Sequence, residues 1–396
     1  MKILVVSEVF YPENFLINDL VIEWKKQGHT IEVLTQYPSY PESYVFDGYT
    51  NGDYSVENWD GVNIHRYRFI EGYKNSIIKK FRNYILFVRE GKKIAKKIGK
   101  NFDFVFVSQT GPLTVAYPAL AVKKKYNIPV TIWTYDIWPD TVYSYGVPKN
   151  IITEKFLSKV IKGIYSKSDN ILVSSNRFEQ TINRYVKKNI HYIPNWLQET
   201  ENVESVLRLD NTKINFTFTG NVSLYQNLLN VIKGFVKANI NDSILNIVGD
   251  GSGIDELKVY IKENNISNVI LHGRYPYNQM NDILNQSDVL IISLISNEGI
   301  EKTEPLKLQS YLAAGKPIFG ILNGSCKDII EENNLGICSL PNDIDDISLG
   351  FKNIIKFSKE EGYNIKQRSK ELMGSRFNKE IIISKINSIM GLDNLY

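Results

Sequence analysis

Cysteine is scarce in this chain, with only Cys326 and Cys338 in 396 residues. They lack a CxxC spacing, so neither a disulfide framework nor a cysteine-held zinc site is expected, and a reducing compartment, the cytoplasm, is predicted. Histidine is nearly as rare: His29, His65, His191 and His272 are scattered, with no HxH or HxxxH among them. No metal or other cofactor is therefore expected. Long apolar runs are also missing. Nothing approaches the roughly 18 consecutive apolar residues of a membrane-spanning helix, and "MKILVVSEVFYPEN" has an apolar run too short for a signal-peptide core. The turn after the first strand, "SEVFYPEN", has no GxGxxG, and "GDGSG" at 249–253 resembles that fingerprint only superficially, which argues against a dinucleotide-binding oxidoreductase. A net charge of +4 gives no reason to expect a nucleic-acid partner.

What is present is the composition of a globular protein, 43% hydrophobic and 23% charged. The length predicts two domains. Short runs rich in Val, Ile, Phe and Tyr alternate with segments of helical period, which predicts parallel strands with crossover helices. The first series is "KILVV", "TIEVLTQ", "VNIHRYRF", "FDFVFVSQ", "IPVTIWTYD" and "NILVSS". After a polar linker over 198–205 the rhythm restarts with "KINFTFTGN", "ILNIVGDG", "NVILHG", "VLIISL" and "KPIFGIL". The expectation is an α/β protein of two Rossmann-like domains, 1–197 and 206–375, with a helix in 376–396 packing back on the first domain. In such sheets ligands bind beyond the carboxyl ends of the strands, so the chemistry is expected in "SEVFYPEN", "SQTGP", "YDIWPD", "TGNVSLYQN", "GDGSG", "GRYPY" and "SNEGIEKTEP".

These motifs, with "GHTIEVLTQYPSYP", "YDIWPDTVYSYG", "YIPNW", "HGRYP" and "PLKLQSYLAAGKPI", run in an order that resembles the retaining family 4 glycosyltransferases of the GT-B fold. The resemblance covers nearly the whole chain and is nearest to bacterial surface-polysaccharide transferases of N-acetylated deoxyhexosamines, the N-acetyl-L-fucosamine type. It implies two domains facing each other across a cleft, a UDP-sugar donor on the second and an acceptor saccharide linked to a polyprenyl diphosphate on the first. It also implies a place in O-antigen or capsule synthesis. The chain departs from the family at the two glutamates spaced eight apart, where it has Lys302 and Ser310. It departs again at the Arg and Lys that hold the donor diphosphate, where Asn221 and Gln226 stand.

Some cation must replace the lost pair, because an unpaired diphosphate in a partly dry site is costly. Lys302 and Lys307, around the helix start after Pro305, are the expected replacements, with Glu301 and Glu304 left to hold hydroxyls of sugar or ribose. The alternative is an ordinary solvated helix start. Catalytic roles fall on Asp136, Lys307 and Glu301. Donor contacts are expected from Gly220, Asn221, Gln226, Asp250, Arg274, Tyr275, Lys302, Thr303, Glu304, Leu308 and Ser310. Acceptor contacts are expected from Asn14, Gln109, Tyr135 and Asp140, with Asp136 orienting or deprotonating the acceptor hydroxyl. Asn14, Asp136 and Asp140 also read as plain turn and cap residues. An NDP-sugar 2-epimerase, or a catalytically silent GT-B scaffold, is the competing reading.

Charge of one sign is lacking in a single place. From Tyr73 to Lys100 ten basic residues face one acid, Glu90, and Ile77, Ile78, Phe81, Tyr84, Ile85, Phe87 and Val88 are interleaved with them. This predicts an amphipathic helix lying on an anionic membrane through Lys79, Lys80 and Arg82, peripheral at the inner face of the cell membrane. A helix that simply packs Phe81, Ile85 and Val88 into the core is the alternative.

Overall fold

The computed structural model describes residues 1–144, 146–199, 201 and 203–393; positions 145, 200, 202 and 394–396 lie outside them. The chain divides into two units, Met1–Pro194 with Ile382–Tyr396, and Asn195–Ile381. The return to the first unit thus begins at 382, within the last helix.

The first unit runs β1 (Lys2–Ser7), α1 (Leu16–Lys26), β2 (Thr30–Gln36), β3 (Ser55–Trp59), β4 (Val62–Tyr67), α2 (Ile77–Ile98), β5 (Phe104–Gln109) and α3 (Tyr117–Tyr126). It continues through β6 (Val130–Thr134), α4 (Asp140–Ser144), α5 (Ile151–Tyr165), β7 (Asn170–Val173), α6 (Arg177–Asn183) and β8 (Ile190–Tyr192). Its sheet has the order β3-β4-β2-β1-β5-β6-β7-β8, parallel except for the β3–β4 hairpin at the edge. The second unit runs β9 (Ile214–Thr219), α7 (Leu228–Ala238), β10 (Ser243–Val248), α8 (Ile254–Glu263), β11 (Val269–Gly273), α9 (Met280–Asn285) and β12 (Val289–Ser293). Then follow α10 (Lys307–Ala314), β13 (Ile318–Ile321), α11 (Ser325–Glu332), β14 (Gly336–Ser339) and α12 (Ile344–Ser375). Its six strands are ordered β11-β10-β9-β12-β13-β14, all parallel. The central strands of both sheets are buried along nearly their whole length, because helices cover both faces.

The last helix, α13 (Lys379–Met390), brings Ile382, Ile383 and Ile386 to the core of the first unit. Asn387 accepts a 2.8 Å hydrogen bond from the buried Trp24 indole of α1, and Lys385 donates to the Tyr192 carbonyl. On the other face of that sheet α2, α3 and α5 share one apolar core, with Phe87, Val122 and Ile161 among its members. The core stripe of α2 is Asn83, Phe87, Gly91, Ile94 and Ala95; Phe81 and Ile85 lie outside it and face solvent. The reading of α2 as a helix that buries Phe81 and Ile85 is thereby corrected.

Candidate active site

At the carboxyl edge of the first sheet, three loops converge. Glu8 follows β1 directly, Gly111 lies two residues beyond β5, and Asp136 two beyond β6. Gln109, at the end of β5 and fully buried, ties two of them together, donating from Nε2 to the carbonyls of Gly111 (2.7 Å) and Asp136 (2.8 Å). Glu8 completes the set: a Cβ on Gly111 would lie 2.5 Å from Glu8 Oε2, so only glycine lets that carboxylate sit where it does. The β1 loop is itself clamped. The buried Glu13 carboxylate accepts from the backbone N–H groups of Phe10 (3.0 Å), Ser39 (2.8 Å) and Tyr40 (2.6 Å), and Arg66 donates to the Tyr11 carbonyl.

Burial raises the pKa of both Glu8 and Asp136. Burial pushes the Asp136 carboxyl up to about 7, opposed by the Lys80 charge. Burial also pushes Glu8 up to about 7, opposed first by Lys80, with the Glu13 and Asp136 carboxylates raising it further. Both residues keep some solvent contact, so the dense protein wall around their carboxyl groups, not complete exclusion of water, holds them near neutrality. Lys80, half-buried on the first turn of α2, faces this pair, with its own pKa lowered by burial. It therefore leaves the set of residues expected to touch a membrane, while Lys79 and Arg82 stay exposed.

The remaining acceptor candidates spread around this edge. Asn14 is exposed on the β1 loop, Asp140 opens α4, and Tyr135 packs against Trp133 with its ring tilted and its hydroxyl enclosed. Glu8 itself was not anticipated. A glutamate in a turn sequence reads as a solvated acid, and its partners come from positions 80, 111 and 136; no local pattern joins them.

The second unit presents a different chemistry. The loops "TGN" after β9 and "GDG" after β10 are laid one on the other: a Cβ on Gly249 would stand 1.8 Å from the Gly220 carbonyl oxygen. Gly249 at φ 153 and Gly220 at φ 122 both use backbone open mainly to glycine. Val222 N–H donates to the Asp250 carbonyl at 3.0 Å, while the Asp250 carboxylate, exposed, accepts from Gly251 N–H at 2.8 Å.

Lys307, the first residue of α10, reaches up to this glycine wall. Its Nζ donates to Gln226 Oε1 at 2.6 Å, lies 3.8 Å from the Phe218 ring centroid, and stands 3.6 Å from where a Gly220 Cβ would be. Among the described residues it has no carboxylate ion-pair partner. Burial pushes its pKa down from 10.5 to about 7, offset slightly by the Cys326 thiol. An ammonium held by a ring face and an amide oxygen is a place for an anion.

The other residues of 301–310 divide. Lys302 already pairs with Glu298 at 3.1 Å. Glu301 accepts from Ser296 Oγ (2.7 Å) and Asn323 Nδ2 (3.4 Å), and Thr303 Oγ1 closes a turn on the Ile300 carbonyl. Ser310 hydrogen-bonds the Tyr277 hydroxyl. Two expectations are corrected. Glu304 is buried with its carboxylate turned to Ser325 Oγ (2.9 Å) and Arg376 (3.3 Å), so it braces the loop against α11 and the end of α12. Leu308 is fully buried in the core between α10 and β12, and its side chain is not available to a donor. Arg274 is exposed beyond β11, and Tyr275 packs against a small cluster of Leu207, Val248 and Ile283. No group of His, Cys, Asp and Glu that could hold a metal occurs among the described residues.

Comparison with known proteins agrees with this division. The model of the family Glycosyltransferase Family 4 matches residues 15–200, and that of Glycosyl transferases group 1 matches 199–371. A Pseudomonas aeruginosa protein described as "Probable glycosyltransferase WbjE" is 27% identical over 256 residues, which are 60% of this chain and 63% of that one. Among solved structures, sucrose-phosphate synthase from Thermosynechococcus elongatus superposes with a TM-score of 0.72 at 15% identity, covering 99% of this chain and 98% of that one. Anabaena HepE in complex with UDP gives 0.67 at 11% identity, covering 99% and 100%. The lipopolysaccharide outer core galactosyltransferase WaaB gives 0.63 at 15%, covering 99% of both. The two units are thus matched in turn by two glycosyltransferase domain models, and the chain has the GT-B fold of these enzymes.

Proposed function

We propose that the protein is a retaining transferase that moves a sugar, an N-acetylated deoxyhexosamine, from a UDP-sugar to a lipid-linked saccharide during bacterial surface-polysaccharide synthesis. The half-buried Lys307 ammonium, without a carboxylate partner among the described residues and set against the Gly220–Gly249 wall, carries this reading. A diphosphate is the anion that such a site lacks. HepE was solved with UDP, and a trehalose-6-phosphate enzyme structure from E. coli with UDP-2-fluoro glucose, which supports uridine as the base.

In the proposed reaction the bond from the anomeric carbon to the diphosphate oxygen breaks, the acceptor oxygen bonds to the same face of that carbon, and the departing phosphate takes the acceptor proton. Asp136, with Glu8 beside it, orients that hydroxyl; Lys307 stabilises the charge developing on the leaving diphosphate. The acceptor's polyprenyl chain is embedded in a membrane, where the protein is peripheral. None of its described helices is long and apolar enough to cross one.

The test combines ligand binding with product analysis. A UDP-sugar should raise the melting temperature where GDP- and dTDP-sugars do not, since a ligand at about 100 times its Kd stabilises by about 2.7 kcal/mol. With a polyprenyl-diphosphate saccharide present, UDP should be released. Stabilisation by a GDP-sugar alone overturns the choice of donor, and an epimerised sugar without transfer points to the epimerase.

The titrating groups set the pH profile. An ionised Asp136 is needed to accept from the acceptor hydroxyl, so kcat/KM rises as pH climbs through about 7. A charged Lys307 is needed for the diphosphate, so kcat/KM falls again above about 7. The outcome is a narrow bell near neutrality, and in Lys307→Arg the alkaline limb disappears because guanidinium keeps its proton. An alkaline limb that persists in Lys307→Arg sinks the assignment.

A further inference from the structure

Beyond β2 the first unit has a segment of distinctive composition. Positions 37–60 hold seven aromatic residues and five acids in 24, with no lysine, arginine or histidine. The glycosyl-transfer chemistry described above makes no use of it. Several of its rings are not core residues: Tyr40 is 44% exposed and Tyr44 52%, and Tyr11, on the β1 loop that packs against the segment, is 37% exposed.

Each of these rings is held in place. Tyr11 stacks on Trp59 with centroids 4.5 Å apart and planes 15° from parallel, and Phe10 meets the same indole edge-on at 5.4 Å. The buried Arg66 fixes the backbone beneath, donating to the Tyr11 carbonyl and pairing with Glu57. Tyr40 has the Phe15 ring at 5.2 Å and the Lys74 ammonium 4.1 Å from its centroid, and that ammonium also donates to the Pro41 carbonyl at 2.7 Å. The Tyr44 hydroxyl accepts from Asn75 Nδ2 at 3.1 Å. A ring already fixed by its neighbours loses little conformational freedom when a ligand covers it.

The rings border the acidic site. Glu13 joins the two loops through the N–H groups of Phe10, Ser39 and Tyr40, so Tyr11 and Tyr40 stand on segments that meet at one carboxylate. Thr35, near the end of β2, donates to the Glu8 carbonyl at 3.2 Å. The Ser39 side chain hydrogen-bonds the Tyr73 hydroxyl, whose pKa burial and then the Glu8 charge raise. Asn14, exposed between Tyr11 and Phe15 in the chain, adds an amide.

We infer that the β1 and β2 loops form a platform for a neutral oligosaccharide, the part of the acceptor beyond the sugar being extended, with Tyr11 and Tyr40 each lying under one sugar ring. A pyranose has an apolar face of C–H groups and a rim of hydroxyls; the face suits a fixed aromatic ring, and the rim suits amides and carboxylates. Charge excludes the other occupants of an aromatic surface. The segment has no cation to hold a lipid phosphate or a uronate, Lys74 is engaged with Tyr40 and Pro41, and Glu42 and Asp47 are exposed to repel an anion. The inference rests on the proposed glycosyl transfer and makes its acceptor an oligosaccharide, with one sugar at Asp136 and one on each ring, rather than a lipid-linked monosaccharide.

The experiment titrates the full chain with chito-oligosaccharides, from the mono- to the tetrasaccharide, followed by ligand-observed NMR. Affinity should rise about tenfold with the second sugar and again with the third, then level off. Tyr11→Ala and Tyr40→Ala should each remove one of these steps, while Tyr40→Phe, which keeps the ring, should retain both. Oligogalacturonides of the same lengths should show no such rise. A trisaccharide bound no more tightly than the monosaccharide overturns the inference, as does wild-type affinity in both alanine variants, a loss in Tyr40→Phe equal to that in Tyr40→Ala, or an equal rise with the oligogalacturonides. The proposed function fails separately. Length-graded binding by a wild type that releases no UDP from a UDP-sugar and a polyprenyl-diphosphate saccharide refutes transfer and keeps the platform; UDP release without graded binding keeps the transferase and removes the platform.

Discussion

Lys307→Ala should lower kcat by roughly thirtyfold to a thousandfold, equivalent to about 2–4 kcal/mol of transition-state stabilisation. The contact it removes strengthens as charge moves onto the departing diphosphate, so KM should change less than kcat. The neighbours of Lys307 cannot substitute, since Gln226 offers an amide and Phe218 a ring face. Stability should move the other way. A lysine whose pKa is pushed down to about 7 contributes fully to stability only above its unfolded value of 10.5, and that contribution is lost as pH falls through 7. The alanine variant should therefore melt no lower than the parent, and higher near pH 6. Near-normal turnover would mean that the diphosphate is held by the backbone N–H groups of the 219–223 loop instead.

Asp136→Asn should cost about a hundredfold to ten-thousandfold in kcat/KM, the range for losing a positioned acid or base. The asparagine keeps the size of the side chain, and the loop keeps its place, because Gln109 holds residue 136 through its backbone carbonyl. Removing one carboxyl also relieves the other: Glu8 should titrate lower in the variant, shifting the acid limb of the residual activity downward. A carboxyl raised to about 7 contributes stability below its unfolded value of 3.8 that is lost as pH rises toward 7, so the variant should gain melting temperature at pH 7 and little at pH 4. Glu8→Gln should cost less rate and leave the acid limb set by Asp136 in place, because burial, not Glu8, raises that carboxyl. Full activity of Asp136→Asn with an unshifted Glu8 would return both residues to the role of turn acids.

The strands that make up the middle of both sheets were legible because burial on two faces demands continuous apolar runs, as in "KILVV" and "VLIIS". The strands β3, β8 and β14 were not. "SVENW" and "IHY" are short, half-solvated edge segments, and "GICS" has a glycine where a strand signal is expected. Lys307 could be picked out because a cation at a helix start opposes the helix dipole and needs another reason to be there. Glu304 misled for the complementary reason: an acid near a helix start needs no reason, and its partner Arg376 is 72 residues away. Lys80 shows the limit of reading one helix by charge alone, because its direction is set by Glu8 and Asp136 on two other loops.

The division of the chain has a consequence for how it is made. Residues 195–381 form a unit set between two parts of another, and Asn387, which accepts from the Trp24 indole, is synthesised after that whole unit, as are Ile382 and Ile386. On the ribosome the inserted unit has its whole sequence in hand while the first one still lacks a helix, so the second unit can close its core before the first does. Until α13 arrives, the part of the α1 face that it buries stays open, and a nascent or prematurely terminated chain would present that apolar surface to chaperones rather than to α13.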